Sequence, residues 1–167
     1  MLELHTERLR ILPLNAENLR NLIDDPKQLA QQLSLISSDS FLDTALQQAM
    51  KIRLAKLLED QDHYIWYTNW LIVSKSHNCS VGGIMIKGLP NDDGEVIIGY
   101  YTLPDYQRNG FMTETIRAMK NWLLSQPGVK SVVADTEKNN IPSHKVLEKA
   151  GAVLYKETAE LFYWRFI

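Results

Sequence analysis

The chain has one cysteine in 167 residues, so Cys79 has no partner for an intramolecular disulfide, and its neighbours Asn78 and Ser80 supply no companion thiol for a zinc site. His63, His77 and His144 have no mutual spacing suited to a metal or a catalytic triad, so no metal is expected. No apolar run approaches membrane-spanning length, and Met1-Leu-Glu-Leu-His-Thr-Glu-Arg lacks a basic segment followed by an apolar stretch. A soluble, unprocessed, cytoplasmic protein is expected. Eighteen Lys and Arg against twenty Asp and Glu leave a net charge of -2, which gives no global pull toward nucleic acid or a membrane. The P-loop's Gly-Lys-Ser/Thr and the dinucleotide Gly-x-Gly-x-x-Gly are also missing.

What is present suffices for one domain over residues 1–167: 45% of the residues are hydrophobic, and no repeat, low-complexity tract or linker interrupts them. Leu9 to Leu14 reads as an opening strand. Asn15 caps a helix carrying Leu19, Leu22 and Ile23, and Asp25-Pro26 starts another through Leu33. After the cluster Ser37 to Ser40, Phe41, Leu42, Ala45, Leu46, Ala49 and Met50 recur at helical spacing, in a stretch that can run to Leu58.

From Trp70 the texture becomes β-rich. Trp70 to Val73, Val81 to Ile86 and Val96 to Leu103 read as an antiparallel meander. Met112, Thr115, Ile116, Met119 and Leu123 then share a helical face that Pro127-Gly128 stops. A buried strand over 129–135 follows, then a helix capped by Asn140 with Val146, Leu147 and Ala150 inward and Gly151 at its end, and a hairpin of 153–155 with 161–166. This order of strands and helices predicts a mixed α/β (α+β) domain with a helix beside parallel strands near the sheet's centre.

Two segments carry chemistry. Between Tyr100 and Glu114 a strand ends and a glycine-bearing turn opens a helix, so the N–H groups from Arg108 to Thr113 face outward with the positive end of the helix dipole behind them. A diphosphate suits that geometry: Gly110 lets backbone approach it and Arg108 adds a charged donor, although such a glycine also has a purely conformational reading. The second segment, Asn139-Asn-Ile-Pro-Ser-His-Lys-Val-Leu-Glu-Lys-Ala-Gly151, places Asn-x-x-Ser at a helix start, where an N-cap alone explains Asn140.

Strand, phosphate-type turn, helix, strand, Asn-capped helix and final hairpin, with Thr6-Glu-Arg-Leu9 at the opening, together resemble the GNAT acetyltransferase superfamily, and within it the RimJ/RimL-like branch. The resemblance covers nearly the whole chain. It implies a GNAT fold, with a mostly antiparallel central sheet of about six to seven strands flanked by helices, and acetyl-CoA as co-substrate. It further implies that Gln107, Arg108, Asn109, Gly110, Phe111 and Met112 cradle the CoA pyrophosphate, that Thr113 adds a hydroxyl, that Leu103 and neighbouring backbone pair with the pantetheine arm, and that Asn140 and Ser143 contact the cofactor's far side. The implied partner is an amine, either a protein N-terminus or a small molecule, and relatives are frequently homodimers.

The chain departs from the family pattern at three points. Met112 stands where many relatives have a second glycine or alanine. Ile97-Ile-Gly-Tyr100 replaces Glu-Ile-Gly-Tyr, which removes the usual general base; Glu95, two residues earlier on the same strand face, can act through an ordered water or be a solvated carboxylate. Leu147 occupies the position four residues after Ser143 where some relatives carry a tyrosine acid, which leaves Ser143 to donate a proton or merely to touch pantetheine. A strand N–H near Tyr101 is expected to polarise the thioester oxygen. Trp66, Tyr67, Trp70, Phe162, Tyr163 and Trp164 form an aromatic supply that packing explains as well as acceptor contact does. Two function classes remain, an N-acetyltransferase and a non-catalytic acyl-CoA-binding or sensing domain.

Overall fold

A computed structural model describes residues 2–37 and 42–167. One mixed sheet of eight strands runs through it. Its strands are β1 (Leu4–His5), β2 (Leu9–Pro13), β3 (Asn69–Ser74), β4 (Cys79–Ile86), β5 (Glu95–Thr102), β6 (Ser131–Glu137), β7 (Val153–Glu157) and β8 (Leu161–Phe166), in the order β1-β2-β3-β4-β5-β6-β8-β7. Every neighbouring pair is antiparallel except β5 with β6. The count exceeds the expected six to seven by β1, whose two residues are too few to show a period in sequence.

The helices are α1 (Ala16–Asp24), α2 (Pro26–Gln32), α3 (Thr44–Glu59), α4 (Phe111–Leu124) and α5 (Ile141–Ala150), with 3-10 segments at Gln61–Trp66 and Pro104–Tyr106. Asn15 caps α1 through a 2.8 Å bond from the Asn18 N–H, as its side chain suggested. The third helix starts later than the spacing indicated, because Asp43 is its cap and accepts from the Leu46 N–H at 2.8 Å. Phe41, expected on its face, lies outside the described residues. The sixth strand begins at Ser131 rather than at 129, since Val129 still bonds back to Gln126 and the N–H groups of Lys130 and Ser131 both reach the Gly94 carbonyl. Among the described residues no helix is long and apolar enough to cross a membrane.

Strand alternation divides the core between two faces of the sheet. Trp70, Ile72, Ile84, Ile98, Val132 and Trp164 point to one face, where Ile116, Met119 and Leu123 of α4 and Leu147 of α5 cover them. Leu71, Val73, Met85 and Tyr101 point to the other face, under Leu19, Leu29, Met50 and Leu57 of α1 to α3. Both faces of the centre are thus apolar, which is why β3 and β4 read as near-continuous hydrophobic runs.

Candidate functional site

Among the described residues the one parallel pair is also the shortest of the central pairs. Strands β5 and β6 match over Glu95–Ile97 and Ser131–Val133 and no further. Beyond that point β5 stays with β4 as far as Thr102, while β6 stays with β8 as far as Glu137, so the two strands part and leave a wedge between them. The Ile97 carbonyl accepts from Lys87 at 2.9 Å and the Leu103 N–H donates to Val81 at 2.8 Å, so odd-numbered residues of β5 direct their backbone to β4. By alternation Tyr100 and Thr102 turn theirs into the wedge. The wedge N–H expected near Tyr101 therefore belongs to its neighbours, and the Tyr101 N–H faces β4.

The turn from Gln107 to Gly110 stands at the wide end of the wedge. Arg108 and Gly110 take positive φ of 67° and 76°, and Gly110 precedes α4 without any side-chain cap. The N–H groups of Phe111, Met112 and Thr113 therefore have no helical acceptor, an arrangement that suits an anion. Gln107 and Asn109 spend their side-chain amides on the turn itself: Gln107 donates to the Thr102 carbonyl at 3.3 Å, and Asn109 to those of Tyr106 and Gln107 at 3.0 and 3.3 Å. Met112 is buried in the core beside Phe111, so the longer side chain leaves the mouth of the turn open. Leu103 is buried on the α1–α3 face.

Sequence reasoning missed the group that braces this turn. Thr6, Arg8 and Glu114 meet across more than a hundred residues: Glu114 accepts from the Thr6 hydroxyl at 2.5 Å, from the Arg8 N–H at 3.0 Å and from Arg8 Nε at 2.7 Å. The same guanidinium donates to the Asn109 carbonyl at 2.9 Å and lies 4.6 Å from the centre of the Phe111 ring. Burial alone would raise the Glu114 pKa, but the hydrogen bonds from Thr6 and Arg8 outweigh it and hold the carboxyl below its usual range. Thr6-Glu-Arg-Leu9, read as a strand opening, is thus mainly a clamp on the start of α4. Its one sequence signal was the motif itself.

At the far side of the wedge, Asn140 accepts from the Ser143 N–H at 3.3 Å and so caps α5. The Tyr100 phenol lies near Ser143 with its oxygen fully enclosed, yet the two close no hydrogen bond of good geometry. Burial pushes the phenol up to about 12, against the influence of Ser143. Glu95 sits three residues before the wedge opens, about 10 Å along a strand. It is on the sheet face away from α4 and α5, and Asn91 donates to its carboxylate at 3.2 Å. The structure thus gathers the turn 107–113, Asn140 and Ser143 around the wedge and leaves Glu95 beside its closed end; Leu103, expected on the cofactor arm, instead gives its N–H to Val81, its carbonyl to the Tyr106 N–H and its side chain to the α1–α3 face.

The histidines and most of the aromatics have structural partners. His63 pairs with Asp60 at 2.9 Å, His77 with Ser74 at 3.0 Å, and His144 Nε2 with the Glu137 carbonyl at 2.9 Å. Trp66 and Trp70 stack on Trp122 of α4 at 5.9 and 5.2 Å, and Trp164 bonds Thr136 at 3.0 Å. On the α1–α3 face a cavity of about 60 Å³ opens beside β5, lined by Leu22, Leu29, Leu42, Leu71, Tyr101 and Leu103 among others.

The family model described as an acetyltransferase (GNAT) domain matches residues 8–153. An uncharacterised N-acetyltransferase of Bacillus subtilis, YjdG, is 27% identical over 100% of this chain and 99% of its own length. Among solved structures, the ribosomal-protein-S5-alanine acetyltransferase of Vibrio fischeri superposes with a TM-score of 0.73 at 16% identity, covering 100% of this chain and 97% of the other. RimL, a ribosomal alpha-N-protein acetyltransferase solved in complex with coenzyme A, superposes with a TM-score of 0.69 at 13% identity, covering 99% and 98%.

Proposed function

This chain belongs to the GNAT acetyltransferase family, and we propose that within it the protein transfers the acetyl group of acetyl-CoA to a primary amine, either a protein N-terminus or a small-molecule amine. One observation carries the reading: a wedge between parallel strands, with an uncapped helix N-terminus at its wide end and two hydroxyls, Tyr100 and Ser143, at its side.

The residues fit a nucleotide thioester. The N–H groups of Phe111, Met112 and Thr113 and the Arg108 side chain hold the diphosphate, while Gln107 and Asn109 keep the turn in shape. The wedge-facing backbone of Tyr100 and Thr102 pairs with the amide-bearing arm as an added strand would. Asn140 and Ser143 bound the arm from α5. When bound, acetyl-CoA supplies an activated carbonyl and a thiol leaving group.

The acceptor comes from the α1–α3 face, where the cavity beside Tyr101 and Leu103 takes an apolar portion and the amine is directed toward the wedge. A wedge-facing N–H of Tyr100 or Thr102 polarises the carbonyl oxygen. Glu95 takes the amine proton through intervening water, as its place beyond the closed end of the wedge requires.

The test is isothermal titration of acetyl-CoA into the wild type and into Gly110→Trp, whose side chain fills the mouth of the turn, with circular dichroism to check folding. Saturable binding that the variant loses supports the site. Absence of wild-type binding overturns the proposal. Thiol release on an amine panel then separates turnover from mere acyl-CoA binding.

A further inference from the structure

Family members that protonate the departing thiol from a tyrosine four residues after the Asn-x-x-Ser serine have no counterpart here, because Leu147 fills that place and is fully buried. The wedge nevertheless contains a phenol, supplied by a different element. Tyr100 lies on β5 beyond the last β5–β6 pair, its ring directed to the α4–α5 face and its hydroxyl beside Ser143 at the start of α5.

Among the described residues its oxygen is one of two enclosed side-chain polar atoms with no hydrogen-bond partner. An unpartnered buried hydroxyl is a net cost to the folded protein, of a kind that functional sites tolerate when a ligand atom completes the bond. We propose that the Tyr100 hydroxyl, enclosed in the ligand-free protein, is uncovered when the cofactor arm parts the wedge and is the proton donor to the departing thiol, so that β5 supplies the acid that α5 lacks.

This deepens the acetyltransferase reading and rests on it. In the step, the amine nitrogen forms a bond to the acetyl carbon, the carbon–sulfur bond breaks, and its electron pair on sulfur takes the Tyr100 proton. The phenolate regains a proton from solvent, and the amine's surplus proton leaves through water on the acceptor side.

Tyr100 suits the task better than Ser143. Even raised to about 12 by burial, a phenol remains a far stronger acid than an aliphatic alcohol. The groups that act on it are Ser143 from α5 and Asp135 from β6, and the Asp135 charge favours the protonated phenol, the form a donor must hold between turnovers.

The test needs no knowledge of the acceptor. Free coenzyme A and desulfo-coenzyme A, which lacks the sulfur, are titrated calorimetrically into the wild type and Tyr100→Phe from pH 6.5 to 9.5. A donor at the sulfur makes the wild type prefer coenzyme A increasingly as the thiol ionises near a pH of about 8.5, by about tenfold or more. Tyr100→Phe abolishes that rise and leaves desulfo-coenzyme A affinity unchanged.

The ligand-free melting temperature of Tyr100→Phe matches or exceeds the wild type, since the lost oxygen had no partner; a lower value makes the hydroxyl structural and overturns the proposal. An equal rise in both proteins, or none in the wild type, likewise overturns it. If neither ligand binds the wild type, the cofactor site itself is refuted and this assignment goes with it.

Discussion

Arg8→Ala removes the guanidinium that joins the opening segment to the turn and to α4. Three interactions go with it. The pair with Glu114, in which the Arg8 side chain is 45% exposed and that of Glu114 20%, contributes about 0.2–1 kcal/mol once solvent screening is allowed for. The bond to the Asn109 carbonyl contributes about 1 kcal/mol, and the contact with the Phe111 ring about 0.5–1 kcal/mol. The Arg8 N–H and the Thr6 hydroxyl still reach Glu114 in the variant, so the carboxylate keeps part of its coordination. The loss is therefore about 2 kcal/mol. At about 2.1 cal/mol/K per residue over 167 residues, the unfolding entropy is about 0.35 kcal/mol/K, and the melting temperature falls by about 6 °C. Differential scanning fluorimetry reads this directly. With Asn109 and Phe111 released, acetyl-CoA binding weakens by about tenfold, which calorimetry reads, and Arg8→Lys falls between the two because it keeps the charge without the fork. A melting temperature within about 1 °C of wild type, together with unaltered affinity, refutes the bracing role.

Acid exposes the same network. Glu114 has a depressed folded pKa, so its contribution is fully present above the unfolded carboxyl value and is lost as pH falls through the folded one. The gap in stability between wild type and Glu114→Gln, read by urea titration, accordingly narrows from pH 6 to pH 3, and a constant gap contradicts the assignment. Gly82→Ala destabilises more than Gly83→Ala: a Cβ at Gly82 runs into the Tyr101 carbonyl of the β5 backbone, whereas at Gly83 it runs into the side chains of Asn69 and Tyr101, which are buried but not part of the sheet's backbone. Losses of about 3 kcal/mol and about 1–2 kcal/mol are expected by denaturant titration, and the reverse order would show that β4 can shift away from β5.

How far the site was legible follows from the range over which each of its parts is determined. Asn15, Asn140 and Gly110 act within one turn of chain, the two asparagines through their side chains and the glycine through its positive φ, so these residue types announced the starts of α1, α5 and α4. The wedge was visible only as an order of elements, because the parting of β5 and β6 depends on which strand each one keeps. The tie from Thr6 and Arg8 to Glu114 left no periodic mark, since each residue type reads locally as a polar surface residue. Tyr100 was hidden for the opposite reason. On a strand between Ile98 and Tyr101 an aromatic reads as packing, and only the environment of its oxygen separates it from a phenylalanine.

The proposed acid, Tyr100, has no carboxylate beside it at Ile97 on its own strand, and that asymmetry has a kinetic consequence. Ile97, half-exposed where a carboxylate would stand, offers nothing to the incoming amine. On the proposed reading an ammonium loses its proton to solvent before attack, or passes it by water to Glu95 about 10 Å from the wedge opening. In either case kcat/KM for the acceptor rises with unit slope and levels off at the acceptor's own pKa, so exchanging one amine for a less basic one moves the bend to lower pH. Glu95→Gln lowers kcat by about tenfold or less, against the roughly 10²- to 10⁴-fold that loss of a directly placed base costs. A bend that stays at one pH whichever amine is used, together with a collapse of activity in Glu95→Gln, would show that the carboxylate reaches the amine itself and that β5 bends further toward the acceptor than its pairing with β4 implies.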